Sequence, residues 1–410
     1  FTESVWHNKH FIQTSDINAS ETKNWANGYG FSPIGAVRVP NSKHFKGSYD
    51  GQGNTIFGLF IDRANQDFCG LFGRTSTGSK ICNLTLNEIS IKGRDHAGGL
   101  VGSSNNTEFN SCFVQGNLIG EEHVGGLLGN ASYSIIKFCK TSVYLTGTNK
   151  VGGLIGHTSG CQISMSSSKS SINSTGDITG GFIGGNGSQS QVIDSYSESN
   201  VSGIVWTGGF IGLNAMNSTV IRSYSSGLTI NSQGGNQCGG LTGGNENNAT
   251  ISDSFWDVNT SGQASNSSSG AVGKSTAEMM NPSTFLNAGW DFNASGGTWK
   301  MIAGQTYPRL AWETLPNTTP SDLNVTAPLQ VLENQPVGTL VGQFTAEDPD
   351  LPTTLTFTLV GGALDNHFFS TDANGTLRTA SALDYEANAT LTIQAKVRDQ
   401  HNLWIKQNFI

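Results

Sequence analysis

Short apolar runs interrupted by paired glycines set the rhythm of this chain. Val124-Gly125-Gly126-Leu127-Leu128-Gly129 is preceded by Ala97-Gly98-Gly99-Leu100-Val101-Gly102 and followed by Val151-Gly152-Gly153-Leu154-Ile155-Gly156. Further copies run from Thr179 to Gly184, from Thr207 to Gly212 and from Cys238 to Gly243, and Phe68 to Gly73 is a degenerate first copy. The apolar residue after the glycines falls at 71, 100, 127, 154, 182, 210 and 241, in steps of 29, 27, 27, 28, 28 and 31 residues. A fixed period of about 20–50 residues marks a repeat architecture.

A second pattern follows each glycine motif. It reads Ile81-x-x-Leu84-x-Leu86, Phe109-x-x-Cys112-x-Val114, Ile136-x-x-Cys139-x-Thr141, Val192-x-x-Ser195-x-Ser197 and Val220-x-x-Ser223-x-Ser225. These segments are short, rich in β-formers and bounded by Gly, Asn and Ser, which is the punctuation of strands and turns. No stretch of the repeats carries a convincing helical period. A unit of this size cannot bury its own apolar face, but units stacked coaxially can, and the result is a parallel β-helix or solenoid. Equivalent residues then lie about 4.8 Å apart on successive rungs. Small residues let facing strands approach closely, which accounts for the paired glycines without any ligand.

These residues resemble the GLUG-motif repeat family of surface and secreted proteins over residues 1–262. Phe45 to Ile56 is similar to that family's opening rung, and Ser254-Phe255-Trp256-Asp257 with Trp290 and Tyr307-Pro308-Arg309-Leu310 to its closing segment. The resemblance implies fold more than activity. Residues 263–314 read as the C-terminal cap of the solenoid. Within them Ser275 is a candidate helix N-cap with Glu278 three residues on.

Residues 315–322 form a short Pro-containing linker, and residues 323–410 a second domain. Thr354 to Leu359 and Thr390 to Val397 alternate in polarity between turn signals, which predicts a β-sandwich. Glu333-Asn334-Gln335-Pro336, Asp348-Pro349-Asp350, Gly375-Thr376-Leu377, Leu383-Asp384-Tyr385-Glu386 and Val397-Arg398-Asp399 make this stretch resemble a cadherin-like domain. The resemblance implies Ca2+ bound by carboxylates at the poles of the sandwich. Asp348, Asp350 and Asp399 would serve one pole. Glu333, Asp384 and Glu386 would join their shell or serve the opposite pole. Hard oxygen donors in clusters suit calcium, which takes six to eight oxygens.

Composition narrows the function classes. Of 410 residues 13% are charged, 53 are glycine, and the net charge is −8. With no basic run, nucleic acid is not an expected partner. No apolar run of 18 residues occurs, so no membrane span is expected. The chain opens at Phe1 in mid-rung without a visible leader and reads as a mature or trimmed fragment. Of six cysteines, Cys112 and Cys139 each follow their motif leucine by 12 residues. They should stack on adjacent rungs, either as a disulfide or as free thiols in a ladder. Sixteen Asn-x-Ser/Thr sequons occur, at Asn18, Asn83, Asn105, Asn130, Asn173, Asn186, Asn200, Asn217, Asn248, Asn259, Asn266, Asn293, Asn317, Asn324, Asn374 and Asn388. They read either as turn chemistry or as N-glycosylation of an extracellular protein.

Two columns carry candidate chemistry. Asp194, Arg222 and Asp253 recur at the same offset, as a solvated ladder or as an acid pair for glycoside chemistry. Tyr196, Tyr224 and Phe255 form a column that is either an aromatic platform for sugar rings or a surface covered by residues 263–314. No nucleophile, zinc or phosphate-loop signature appears in a fitting context. The expectation is therefore an all-β, non-enzymatic extracellular surface protein, acting in adhesion or in structural assembly into a filament or sheath. Its partners would be further copies of itself or a surface glycan or protein receptor. A polysaccharide-acting or glycan-binding β-helix is the alternative. An ice-binding solenoid would need a flat Thr column, which is not found.

Overall fold

The computed structural model describes residues 7–36, 44–232, 237–264, 270–293, 296–315, 317–326, 328–348 and 354–410. The chain divides into two compact units, Phe1–Trp312 and Glu313–Ile410.

The first unit is a parallel β-solenoid of about seven turns. Its coils stack in register. Val124 faces Val151, Val151 faces Thr179, and Leu128 faces Ile155, which faces Ile183. The first half of each glycine motif lies in a six-stranded sheet and its end opens a seven-stranded one. The remaining strands of each coil belong to a third, long sheet that includes Lys80–Lys92, Glu108–Ile119 and Lys140–Gly147.

The second glycine of the motif sits at the corner between the two smaller sheets, and its neighbour explains it. A Cβ on Gly126 would lie 2.2 Å from the Gly153 carbonyl oxygen, and one on Gly153 would lie 2.1 Å from that of Gly181. The close approach thus runs from coil to coil and also across the core, where the Gly153 Cβ would lie 2.2 Å from Ser168 Oγ. The apolar residue that follows points inward. Leu100, Leu127, Leu154, Phe182, Phe210 and Leu241 are all 0% exposed, so each contributes about 1.5–3 kcal/mol of burial. The Phe182 and Phe210 rings stack at 4.7 Å.

The second sequence pattern makes another corner. Asn83, Ser111, Phe138, Met165, Asp194, Arg222 and Asp253 all hold φ between 44° and 54°. Such left-handed backbone is uncommon for these residue types. It turns the chain in one residue, and the next side chain then faces inward. From Ser166 onward that inward residue is serine. The Ser166 hydroxyl accepts from the Cys139 N–H, Ser195 from Ser166, Ser223 from Ser195 and Ser254 from Ser223. A hydroxyl thereby satisfies a buried N–H at each corner that the strand ladder leaves unpaired. A parallel amide ladder stands elsewhere in the coil. Asn186 donates to Asn214 at 2.8 Å, and Asn214 to Asn245 at 2.7 Å.

The second unit is antiparallel. Ser321–Val325, Leu340–Glu347, Thr376–Thr379 and Phe369–Thr371 form one sheet, and Thr356–Leu359, Ile393–Arg398 and Trp404–Phe409 another. Leu323, Phe344, Leu377, Ile393, Ala395 and Val397 pack between them. The first strand begins at Ser321, inside the stretch expected as linker. Among the described residues no helix is long and apolar enough to cross a membrane.

Candidate functional site

Residues 270–293 and 296–312 lie along the flank of the coils as well as continuing them. Ala271–Lys274 pairs in parallel with Ser254–Asp257 and extends the long sheet. Ser275 then caps a short helix, Thr276–Met279, through the capping box with Glu278. The chain next runs back over earlier coils. Trp290 donates to the Asp253 carbonyl, Tyr224 OH to the Pro308 carbonyl, and Trp312 to the Met165 carbonyl. Asp257 ties the segment down, accepting from the Tyr307 and Thr276 hydroxyls at 2.7 Å each. Burial first, and then Asp257, push the Tyr307 phenol up.

This strap corrects one expectation. Tyr196, Tyr224 and Phe255 are 1%, 0% and 5% exposed, packed under Trp290, Trp299 and Phe285. They are no platform for sugar rings. The aromatic surface of the strap needs a partner of equal apolar area, and this column supplies it. Arg309 locks the arrangement, donating to Tyr196 OH at 2.9 Å and to Glu198.

The charged column is also drawn in. Arg222 grips both oxygens of Asp194 at 2.8 and 2.9 Å, and Trp299 Nε1 donates to Asp194 Oδ1 at 3.2 Å. Asp194 is therefore a buried ion-pair partner and not part of a solvated ladder, while Asp253 stays exposed. Both Asp194 oxygens are taken by Arg222, so neither is presented to a substrate.

Cys112 and Cys139 do lie on adjacent coils, but both thiols are free. Between in-register parallel strands the two Cβ atoms point the same way, about a strand spacing apart, wider than a disulfide accepts. The hydrogen bond from Cys139 and then burial hold the Cys112 thiol well above its usual range. Burial likewise pushes Cys69 up to about 12 and Cys161 to about 11. These are inert core thiols.

The sequons separate by burial. Asn18, Asn83, Asn105, Asn173, Asn200, Asn217, Asn248, Asn259, Asn293, Asn324, Asn374 and Asn388 are exposed. Asn130 and Asn317 are half-buried, and Asn266 lies outside the described residues. Asn186 is 1% exposed and both ends of its amide are used in the internal ladder, so it has no room for a glycan.

In the second unit the six expected ligands part company. Glu333, Asp384 and Glu386 converge, with a carboxylate oxygen from each within 4.8 Å of the others, all on exposed side chains. The turn at 384–387 makes this geometry. Asp384 Oδ1 accepts from the Glu386 and Ala387 N–H groups, and Glu333 Oε2 from the Tyr385 N–H. Three like charges held this close repel unless a cation joins them. Three carboxylates offer up to six hard oxygens, which fits calcium. Asp399 is not with them. It is 3% exposed and accepts from Asn317 Nδ2 and from the His401 and Leu403 N–H groups. Burial raises its carboxyl, but these hydrogen bonds outweigh burial and bring it below the usual range. Asp348 is not in the converging group either, and Asp350 lies outside the described residues.

Some contacts between side chains escaped sequence reasoning. The stacked imidazoles of His96 and His123, 4.7 Å apart, follow from their shared place before a glycine motif, 27 residues apart. Asn186, Asn214 and Asn245 repeat with the glycine period, a signal that could have exposed their ladder.

The fold and the acidic cluster define a class: a parallel β-solenoid followed by a cadherin-type domain. Residues 327–406 match the cadherin domain model. Halomucin of Haloquadratum walsbyi is similar to this chain, 41% identical over 106 residues, which make up 25% of the chain and 1% of that protein. The chain thus spans about one per cent of the length of that relative. Two solved structures are also similar. One is a Bacteroides ovatus protein provisionally named an immunoglobulin A1 protease, with a TM-score of 0.44 and 17% identity over 75% of this chain and 87% of that one. The other, named IgA1 protease, has a TM-score of 0.41 and 17% identity over 62% of this chain and 22% of that one. Neither likeness carries an argument about activity.

Proposed function

We propose that this chain is part of an extracellular surface protein without catalytic activity, in which the solenoid is a rigid structural element and the cadherin-type domain makes calcium-dependent contacts. The observation that carries the reading is the convergence of Glu333, Asp384 and Glu386 on the surface of the segment that matches the cadherin model. Calcium there would screen three mutually repelling carboxylates and stiffen the 384–387 turn. The likeness to a protein called halomucin supports an extracellular setting, as do the exposed sequons, which are candidate glycosylation sites. The contacts would be with further copies of the chain, building a filament or sheath, or with a receptor in adhesion.

The test is negative-stain electron microscopy and sedimentation of the full chain, in calcium and then in chelator. Calcium-dependent filaments or oligomers are expected. Identical sedimentation in both conditions, together with no shift in melting temperature on adding calcium, would refute the calcium-dependent contact.

A further inference from the structure

On the long sheet lies an open cavity of about 530 Å³ that crosses several coils. Its floor is one column of the stack. Gln115 faces the Asn87–Glu88 bulge on one side and Ser142 on the other. Lys169 and then Glu198 continue the column, one coil at a time. From Glu88 to Glu198 the groove spans four strand spacings, about 19 Å.

Three features of the groove point to one kind of ligand. Tyr144 stands 71% exposed at its side, with no ring stacked on it among the described residues. Glu198 is pinned by Arg309 through Oε1, while its buried Oε2 accepts no hydrogen bond and lies 3.7 Å from Lys169 Nζ. The apolar members of the lining, Ile89 and Val143, are only 1% and 3% exposed. A groove without apolar recesses gives peptide side chains nothing to enter. Amides, hydroxyls, a poised carboxylate and a free aromatic face match a chain of sugar rings, whose repeat is comparable to the strand spacing. One ammonium against two carboxylates disfavours a polyanion.

We propose that this groove binds a linear, neutral saccharide chain, with one ring stacked on Tyr144 and hydroxyls donated to Glu198 and Gln115. The groove binds and does not hydrolyse. The backbone positions of its two glutamates stand about 19 Å apart, well beyond the roughly 5–9.5 Å between carboxyls that acid pairs in glycosidases require. This deepens the surface-protein reading and rests on it for biological meaning only. Asn200, itself a sequon, lines the same groove. The saccharide has two sources: a separate polysaccharide, or the glycan of Asn200.

The experiment is calorimetric titration of the full chain, made without glycosylation, with hexasaccharides of glucose, mannose and N-acetylglucosamine. At least one should bind. Tyr144→Ala should weaken that binding about tenfold, as expected for loss of one stacking contact. Because Tyr144 is exposed, the variant should melt at the wild-type temperature. Gln115→Ala gives an independent, smaller loss. Binding by both the unglycosylated and the native glycosylated chain assigns the groove to a separate polysaccharide. Binding by the unglycosylated chain alone assigns it to the Asn200 glycan. No binding of any probe, or equal affinity in Tyr144→Ala, overturns the proposal. Loss of assembly in chelator with binding intact would bear on the cadherin-type domain and leave the groove standing.

Discussion

Arg309 is the residue whose loss should most clearly separate the strap from the coils. Its side chain is 16% exposed and that of Glu198 is 10% exposed. The guanidinium also sits 5.3 Å from the Tyr196 ring centroid and donates to its hydroxyl. Removing one member of a buried pair leaves an uncompensated charge and costs about 3–5 kcal/mol. Lys169 stays within 3.7 Å of Glu198 and softens this. Arg309→Met should therefore cost about 3 kcal/mol, the low end of that range. Neutralising the partner as well should recover part of the loss. In Arg309→Met/Glu198→Gln the remaining deficit is the hydrogen bond to Tyr196 and the cation–π contact, together about 1–2 kcal/mol. Urea unfolding followed by tryptophan fluorescence reads this directly, because Trp290 and Trp299 belong to the strap and are buried against the coils. A loss below about 1 kcal/mol in Arg309→Met would show that the Arg309–Glu198 pair does not hold the strap. A double variant as unstable as the sum of the singles would show that the two groups do not act as a pair.

Further outcomes follow from the same structure. Gly153→Ala would drive a methyl against the Gly181 carbonyl and should cost about 3 kcal/mol, the top of the typical overpacking range, whereas Gly78→Ala meets nothing within 4 Å and should suffer only backbone strain; comparative urea melts check this. Burial, helped by His96, Lys150 and His157, lowers His123 to about 3, and burial lowers His157 to about 4. The unfolded chain takes up these protons first. Stability should therefore be full above the ordinary histidine range and fall as pH drops from there toward about 3, and His123→Asn should blunt that fall in melting curves. Asp384→Asn should remove most of any calcium-induced rise in melting temperature, while Asp399→Asn should destabilise the domain with or without calcium. If the native chain is glycosylated, peptide mapping should find sugar at exposed sequons such as Asn374 and none at Asn186.

How much of this was legible in advance depends on which residues carry periodic information. The solenoid was legible because the glycine pair and the following apolar residue recur in step, and a stack repeats whatever one coil does. The cadherin-type domain was legible because its turn motifs are local and ordered. The left-handed corners were hidden, since Phe138, Met165 and Arg222 are not residues whose type announces positive φ. Contact geometry between coils, not local propensity, holds them there.

The sequence by itself determined the coil period, the inward leucine and phenylalanine column, the need for glycine where coils touch and the list of acids in the second domain. Only the tertiary structure decided which of those side chains meet. Tyr196, Tyr224 and Phe255 alternate like any strand residues, and whether they face water depended on residues 270–293 and 296–312 folding back over them. Glu333 joins Asp384 and Glu386 across about fifty residues of chain, while Asp399 turns into its own loop. Free energies of burial and charge pairing act on neighbours in space, and a single sequence lists neighbours only along the chain.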